Sequence, residues 1–313
     1  MQLIQADSIH QTMQFPPLIA SLRQSFAGDF GMPARQLLPL TAGQPEALAL
    51  LPAWDEKVIG CKLFTYFPQN PAQGKERLHA KIMLFCRHSG EPLALLDGTS
   101  ITLWRTAAIS ALAGSYLANP AASTLVLFGT GKLAPYLVKA YASIRQLDDV
   151  YIVGRDPAKA QQLAASLQAE LQTERPALRI QAAERSACLL QKADIICCAT
   201  AATEPLFPAD WVQPGTLVDA LGNHHANCSE IDTQLVVDGL LYVDSRANCL
   251  NEAGEILLPL QAEKIQPHHI RAELAELCRN DSLCWQADRI QVFKAVGTAL
   301  ADLAAARLML EFP

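Results

Sequence analysis

The sequence runs to 313 residues, half of them apolar and 18% charged, which is enough for a large core and more than one typical domain requires. With 25 Lys and Arg against 31 Asp and Glu, the formal charge of −6 argues against nucleic acid or an anionic membrane as a partner. Bulk charge still leaves room for a local anion pocket.

The opening MQLIQADSIHQTMQF has neither a basic start nor a long apolar run, so no signal peptide is expected. No segment approaches the roughly 20 apolar residues of a spanning helix. From about residue 37 to 98 the text predicts short strands and turns, among them 58–64 (VIGCKLF) and 81–85 (KIMLF). Ser89-Gly90-Glu91-Pro92 supplies turn chemistry after the second. Residues 102–117 read as a helix, ended by Asn119-Pro120.

From Ser123 the pattern changes. Thr124-Leu125-Val126-Leu127-Phe128 is a continuous apolar run of the kind buried on both faces of a parallel sheet. A helix follows, with Leu133, Leu137, Tyr141 and Ile144 at helical spacing. Strands at 150–153, 180–182, 194–199, 217–221 and 242–243, with a helix at 157–171, complete an alternation that predicts a doubly wound sheet. The end of the chain predicts a strand at 289–293 and a strongly apolar helix at 299–312, to be buried against the first domain or in a subunit interface. The expected class is α/β: a Rossmann doubly wound sheet in 118–289, plus an α+β domain built from 1–117 with 290–313.

Nine cysteines occur, an odd number without a CxxC, and Cys197 and Cys198 are adjacent in an apolar run. That spacing suits neither a disulfide framework nor a zinc site. Buried reduced thiols, no metal and a cytoplasmic setting are expected.

The sharpest local signal is Gly129-Thr130-Gly131-Lys132-Leu133-Ala134, directly after the first buried strand and before a helix. In such a GxGxxA turn the first Gly permits the tight bend and the second lets backbone approach a pyrophosphate. The Ala allows close helix–strand packing, and the helix N-terminus faces the phosphates. The end of the second strand reads Val153-Gly154-Arg155-Asp156-Pro157. Gly154 stands near the position where NAD enzymes carry an acid for the ribose hydroxyls, and Arg155 is suited to a 2′-phosphate. Asp156 is either that acid or the cap of the helix beginning at Pro157. NADP is expected ahead of NAD.

The chain resembles the ornithine cyclodeaminase and mu-crystallin family nearly from end to end. The residues that carry the likeness are Pro33-Ala34-Arg35, Lys62, Leu95-Leu96-Asp97-Gly98, and 101–108 (ITLWRTAA). It continues through the glycine turn, Leu221-Gly222, Glu230-Ile231-Asp232, Val243-Asp244-Ser245-Arg246, Glu252-Ala253-Gly254-Glu255, Phe293-Lys294-Ala295-Val296-Gly297 and Asp302. The resemblance implies an NAD(P)-dependent homodimer that moves hydride between nicotinamide C4 and the α-carbon of a small amino acid or its imine. It implies Arg105, Arg35 and Lys62 around the substrate carboxylate, and Thr106, Val296 and Gly297 near the cofactor. Chemistry agrees with the first group, because a guanidinium fork fixes a carboxylate best.

One departure is informative. The family's cyclodeaminases carry Asp two residues after the glycine, whereas this chain reads Gly222-Asn223-His224-His225. An imidazole anchors an ammonium poorly but moves protons near neutral pH. The expectation is therefore reduction of 1-pyrroline-2-carboxylate or 1-piperideine-2-carboxylate, with His224 managing the proton and Lys62 beside the reacting centre. The alternatives are ornithine cyclodeamination and non-catalytic cofactor binding.

Overall fold

The computed structural model describes residues 1–310, so the end of the predicted last helix, at 312, lies outside the described residues. The chain forms two compact units, Met1–Ile109 with the chain from Thr298 onward, and Ser110–Gly297. The first crossing falls inside the helix Gly98–Leu117, which starts four residues before its predicted position. The second falls later than position 290, because the strand there belongs to the sheet of the second unit.

The first unit is α+β. Its strands are β1 (Gln2–Ile4), β2 (Gln36–Pro39), β3 (Ala47–Trp54), β4 (Val58–Tyr66), β5 (Leu78–Cys86) and β6 (Pro92–Asp97). They lie in the order β1-β6-β5-β4-β3-β2, antiparallel except for β1 on β6. Strict alternation on β3 buries Ala47, Ala49, Leu51 and Ala53 on one face. Registers Leu51↔Lys62 and Lys62↔Ile82 put Lys62 on that same face. It is covered by the helix Ala299–Leu308, against which the helix Phe15–Ala27 packs. Nine of the ten residues of the former are buried, as its apolar text requires.

The outer face of the same sheet carries an apolar stripe beside a polar row of Thr65, His79, Lys81 and Asp97. Registers Leu38↔Leu48, Leu50↔Leu63, Cys61↔Met83, Met83↔Leu95 and Leu3↔Leu95 run a hydrophobic stripe from one edge to the other. Leu3, Leu38 and Leu63 on it are exposed.

The second unit is an eight-stranded, wholly parallel sheet. Its strands are β7 (Thr124–Phe128), β8 (Asp149–Val153), β9 (Arg179–Ala182), β10 (Ile195–Cys198), β11 (Leu217–Ala220), β12 (Leu240–Val243), β13 (Ile270–Glu273) and β14 (Gln291–Lys294). The order is β13-β12-β14-β11-β10-β7-β8-β9. β10, β11, β12 and β14 are buried at every position; β10 and β12 read as continuous apolar runs, while β11 and β14 also bury Asp219, Gln291 and Lys294. Strand order reverses between β7 and β10, and a doubly wound sheet opens its binding crevice at that point.

No disulfide forms among the described residues. The expectation of buried thiols holds for Cys197, Cys198, Cys249 and Cys278, while Cys188 is exposed and the other four are half-buried. Among the described residues no helix is long and apolar enough to cross a membrane, and no cluster of His, Cys, Asp and Glu could hold a metal ion.

Candidate active site

In the first unit, Lys62 and Arg105 meet on one carboxylate. Lys62 Nζ lies 2.7 Å from Asp302 Oδ2, and Arg105 Nε donates to Asp302 Oδ1 at 3.0 Å. All three residues are buried, Asp302 to 1% exposure. The pairing follows from local structure: Lys62 points inward from β4, Arg105 lies on the helix Gly98–Leu117, and Asp302 sits in the first turn of Ala299–Leu308. Lys62 also donates weakly to Thr102 Oγ1 at 3.4 Å.

Burial pushes the Lys62 ammonium down to about 8; Asp302 pulls it up, while the charges of Arg105 and Arg35 push it further down. Arg35, just before β2, thus joins the same electrostatic cluster. Two cations on one carboxylate, with Arg35 in electrostatic reach of Lys62, leave a positive excess, which suits a small anion. Thr106, one residue beyond Arg105, donates its hydroxyl to Thr102 O at 2.6 Å.

In the second unit a cleft of about 800 Å³ opens at the strand-order reversal. Gly129, Thr130, Gly131, Gly154 and Arg155 line it, facing Ala199 to Ala202. Gly129 has φ +125°, and a Cβ there would come 2.5 Å from Ala199 O. A Cβ on Gly131 would meet nothing within 4 Å and would project into open space, the space a dinucleotide backbone needs. The residues present therefore fit a dinucleotide. Lys132 and Leu133 do not line the cleft; they form the turn leading into the helix Ala134–Ile144.

At the end of β8, Asp156 lines the cleft and also serves as a helix cap. Its Oδ1 accepts from Ala158 N at 3.0 Å and Lys159 N at 3.3 Å, capping the helix Pro157–Leu171. Arg155, Lys159 and Arg185 remain as cations on the cleft wall, with Glu184 beside them.

His224 lies in the turn after β11, exposed, its ring stacked on His225 with centroids 5.1 Å apart. Val296 and Gly297 follow β14, and their N–H groups donate to Asp244 Oδ2 at 3.1 and 2.7 Å. Lys294 is fully buried and pairs with Glu255 Oε2 at 2.8 Å.

Sequence reasoning did not assign roles to Asp302, Glu230, Asp244 or Glu255. The signal for Asp302 is its place as the single acid within the apolar run ALADLAAARL. Many of the residues that carried the family resemblance prove to be buried polar supports: Asp244, Glu255, Lys294 and Glu230 are all 2% exposed or less.

Comparison with known proteins adds to this geometry. The model of the ornithine cyclodeaminase/mu-crystallin family matches residues 4–312. The chain is 45% identical over 316 residues to a Δ1-pyrroline-2-carboxylate reductase of Colwellia psychrerythraea, covering 99% of each. It is 30% identical over 303 residues to rat ketimine reductase mu-crystallin, covering 95% of this chain and 91% of the relative. Among solved structures, Thermococcus litoralis Δ1-pyrroline-2-carboxylate reductase in complex with NADH and L-proline superposes with a TM-score of 0.91 at 28% identity, over 99% of this chain and 97% of that one.

Proposed function

This chain belongs to the ornithine cyclodeaminase/mu-crystallin family, and on that premise we propose that it reduces small cyclic ketimino acids with a nicotinamide cofactor, 1-pyrroline-2-carboxylate or 1-piperideine-2-carboxylate being the substrate. The observation that carries the reading is the buried set of Lys62 and Arg105 on Asp302, with Arg35 in electrostatic reach. An α-imino acid offers one fixed anion, its carboxylate, next to the carbon to be reduced. Arg105 and Lys62 are the groups to hold it, with Arg35 adding charge, and holding it orients C2.

Gly129, Thr130, Gly131 and Arg155 are the residues that would hold the cofactor, which when bound supplies hydride to C2. Thr106, Val296 and Gly297 are proposed at the nicotinamide end. The C2=N bond then gains hydride at carbon and a proton at nitrogen. His224 is the group proposed to manage that proton, since an imidazole holds and releases one near neutral pH. Lys62, pushed down to about 8, is a second group able to change charge in the working range.

NADP is the preferred cofactor on two grounds. Gly154 offers no acid to the ribose, and Asp156 commits its Oδ1 to a helix cap. Arg155, Lys159 and Arg185 supply cations for a 2′-phosphate. The partner proposed for the outer face of the first unit's sheet is a second copy of the chain, because the exposed apolar stripe there calls for a cover.

The test mixes purified protein with NADPH and 1-pyrroline-2-carboxylate and follows the reduced nicotinamide band, with NADH and ornithine as parallel arms. Rapid loss of absorbance with the imine is expected, with at least about tenfold lower KM for NADPH than NADH, the worth of one good charged contact. Silence with the imine together with ammonia release from ornithine would replace this reading by cyclodeamination. Cofactor binding without turnover in any arm would make the protein a binding module.

A further inference from the structure

Behind the cleft of the second unit, one buried carboxylate joins two turns that leave the sheet at neighbouring strand ends. Glu230 is fully buried. Its Oε1 accepts from Thr200 N at 2.7 Å and Thr200 Oγ1 at 2.6 Å, just beyond β10. Its Oε2 accepts from Gly222 N at 2.6 Å, just beyond β11. Thr200 lines the nucleotide cleft, and Gly222 begins the turn that carries His224.

The two segments also touch directly. A Cβ on Gly222 would fall 2.2 Å from both Thr200 N and Thr200 O, so only glycine permits this approach. Asn223 Nδ2 donates to Ala202 O at 2.7 Å, adding a second tie to the cleft wall. On its far side the turn is held by Lys294, whose Nζ donates to Asn223 O and pairs with Glu255. Glu255 Oε1 in turn accepts from Glu230 N at 3.1 Å.

Burying a carboxylate is costly unless donors surround it, and charge-assisted bonds to those donors are short and stiff. With three donors from two segments on its two oxygens, Glu230 leaves little slack: a shift of Thr200 is passed to Gly222. A neutral side chain would fill the space but would grip both segments less tightly.

We propose that Glu230 is a positioning residue that couples occupancy of the nucleotide cleft to the placement of the 222–225 turn, so that His224 is set in position when a dinucleotide holds the 200–202 wall. The coupling rests on the proposed function only in taking the cleft's occupant to be a nicotinamide dinucleotide. It does not depend on what His224 does chemically.

Hydrogen–deuterium exchange on the intact protein, with and without saturating NADPH, tests it. In the wild type, cofactor is expected to slow exchange in peptides covering 199–202 and 221–228, the latter by about tenfold or more. In Glu230→Gln, protection of 199–202 should persist while that of 221–228 falls below about twofold. Equal protection of 221–228 in variant and wild type would overturn the coupling. So would a general loosening of the variant that is the same with and without cofactor. Wild-type protection confined to 199–202 also sinks the coupling and leaves the proposed function intact, whereas protection nowhere sinks both. If Glu230→Gln does not fold, Thr200→Val removes one of the three donors. Intermediate protection of 221–228 is then expected, and undiminished protection would overturn the proposal.

Discussion

At the scale of single residues, the first unit's site is a question of how one carboxylate serves several cations. Lys62 is held near a pKa of about 8 because burial outweighs the help it receives from Asp302. Its charge is therefore present below about pH 8 and lost above it. With Lys62 as part of a carboxylate clamp, kcat/KM for an anionic imine should fall as pH rises through about 8. Asp302→Asn removes the one opposing charge, so the same fall should move to lower pH and KM should rise by about tenfold. Leaving buried cations without their carboxylate should also cost roughly 3–5 kcal/mol of stability. Profiles of kcat/KM against pH for wild type and variant check this, and superimposable profiles would remove Asp302 from the substrate site. Lys62 and Arg105 were singled out in the sequence by the family resemblance. Their meeting on Asp302 was not legible there, since Asp302 lies 197 positions from Arg105 and only the packing of a helix on a sheet brings them together.

At the scale of elements, β11 carries an acid where its neighbours carry none. Asp219 is fully buried at the centre of the parallel sheet and accepts from Tyr141 OH at 2.8 Å and from Cys197 Sγ at 3.4 Å. Burial raises its pKa to about 6, with those two hydrogen bonds opposing the rise. An unfolded Asp titrates near 3.9, so between about pH 4 and 6 the folded chain holds a proton that the unfolded chain releases. The contribution to stability is complete below about 4 and is lost as pH rises through 6, a change of roughly 3 kcal/mol. Asp219→Asn should flatten that slope and gain stability over wild type progressively from about pH 4 to 6 in denaturant titrations. Parallel wild-type and variant curves would mean that Asp219 is ionised or neutral throughout. The strands β7 and β10 were legible because burial on both faces writes itself as an unbroken apolar run. β1, β2 and β13 were not, being short and exposed or half-buried at most positions, β2 at every one.

At the scale of the whole molecule, the dinucleotide turn and the strand alternation were legible together, since one motif in the right context fixes where a doubly wound sheet reverses. The apolar stripe on the outer face of the first unit's sheet was not, because there alternation of apolar with apolar residues leaves no period to read. That face is also where assembly is expected. Cys61, Met83 and Leu95 stand opposite one another across β4, β5 and β6, with Leu3 completing the row at β1. Their burial in a self-complementary interface would be worth about 25 cal/mol for each Å² of apolar surface removed from water, and a twofold axis presents the same patch on both copies. Light scattering on the purified protein should therefore give twice the mass of one chain at micromolar concentration. Met83→Glu places a charge at the middle of the row, where desolvating it against a second copy is far costlier than leaving it in water. The variant should run as a single chain while keeping its secondary structure, because Met83 points away from the face that packs under the helix Ala299–Leu308. A wild type that already runs as one chain, or a Met83→Glu protein that stays paired, would mean that this surface is covered by something other than a second copy.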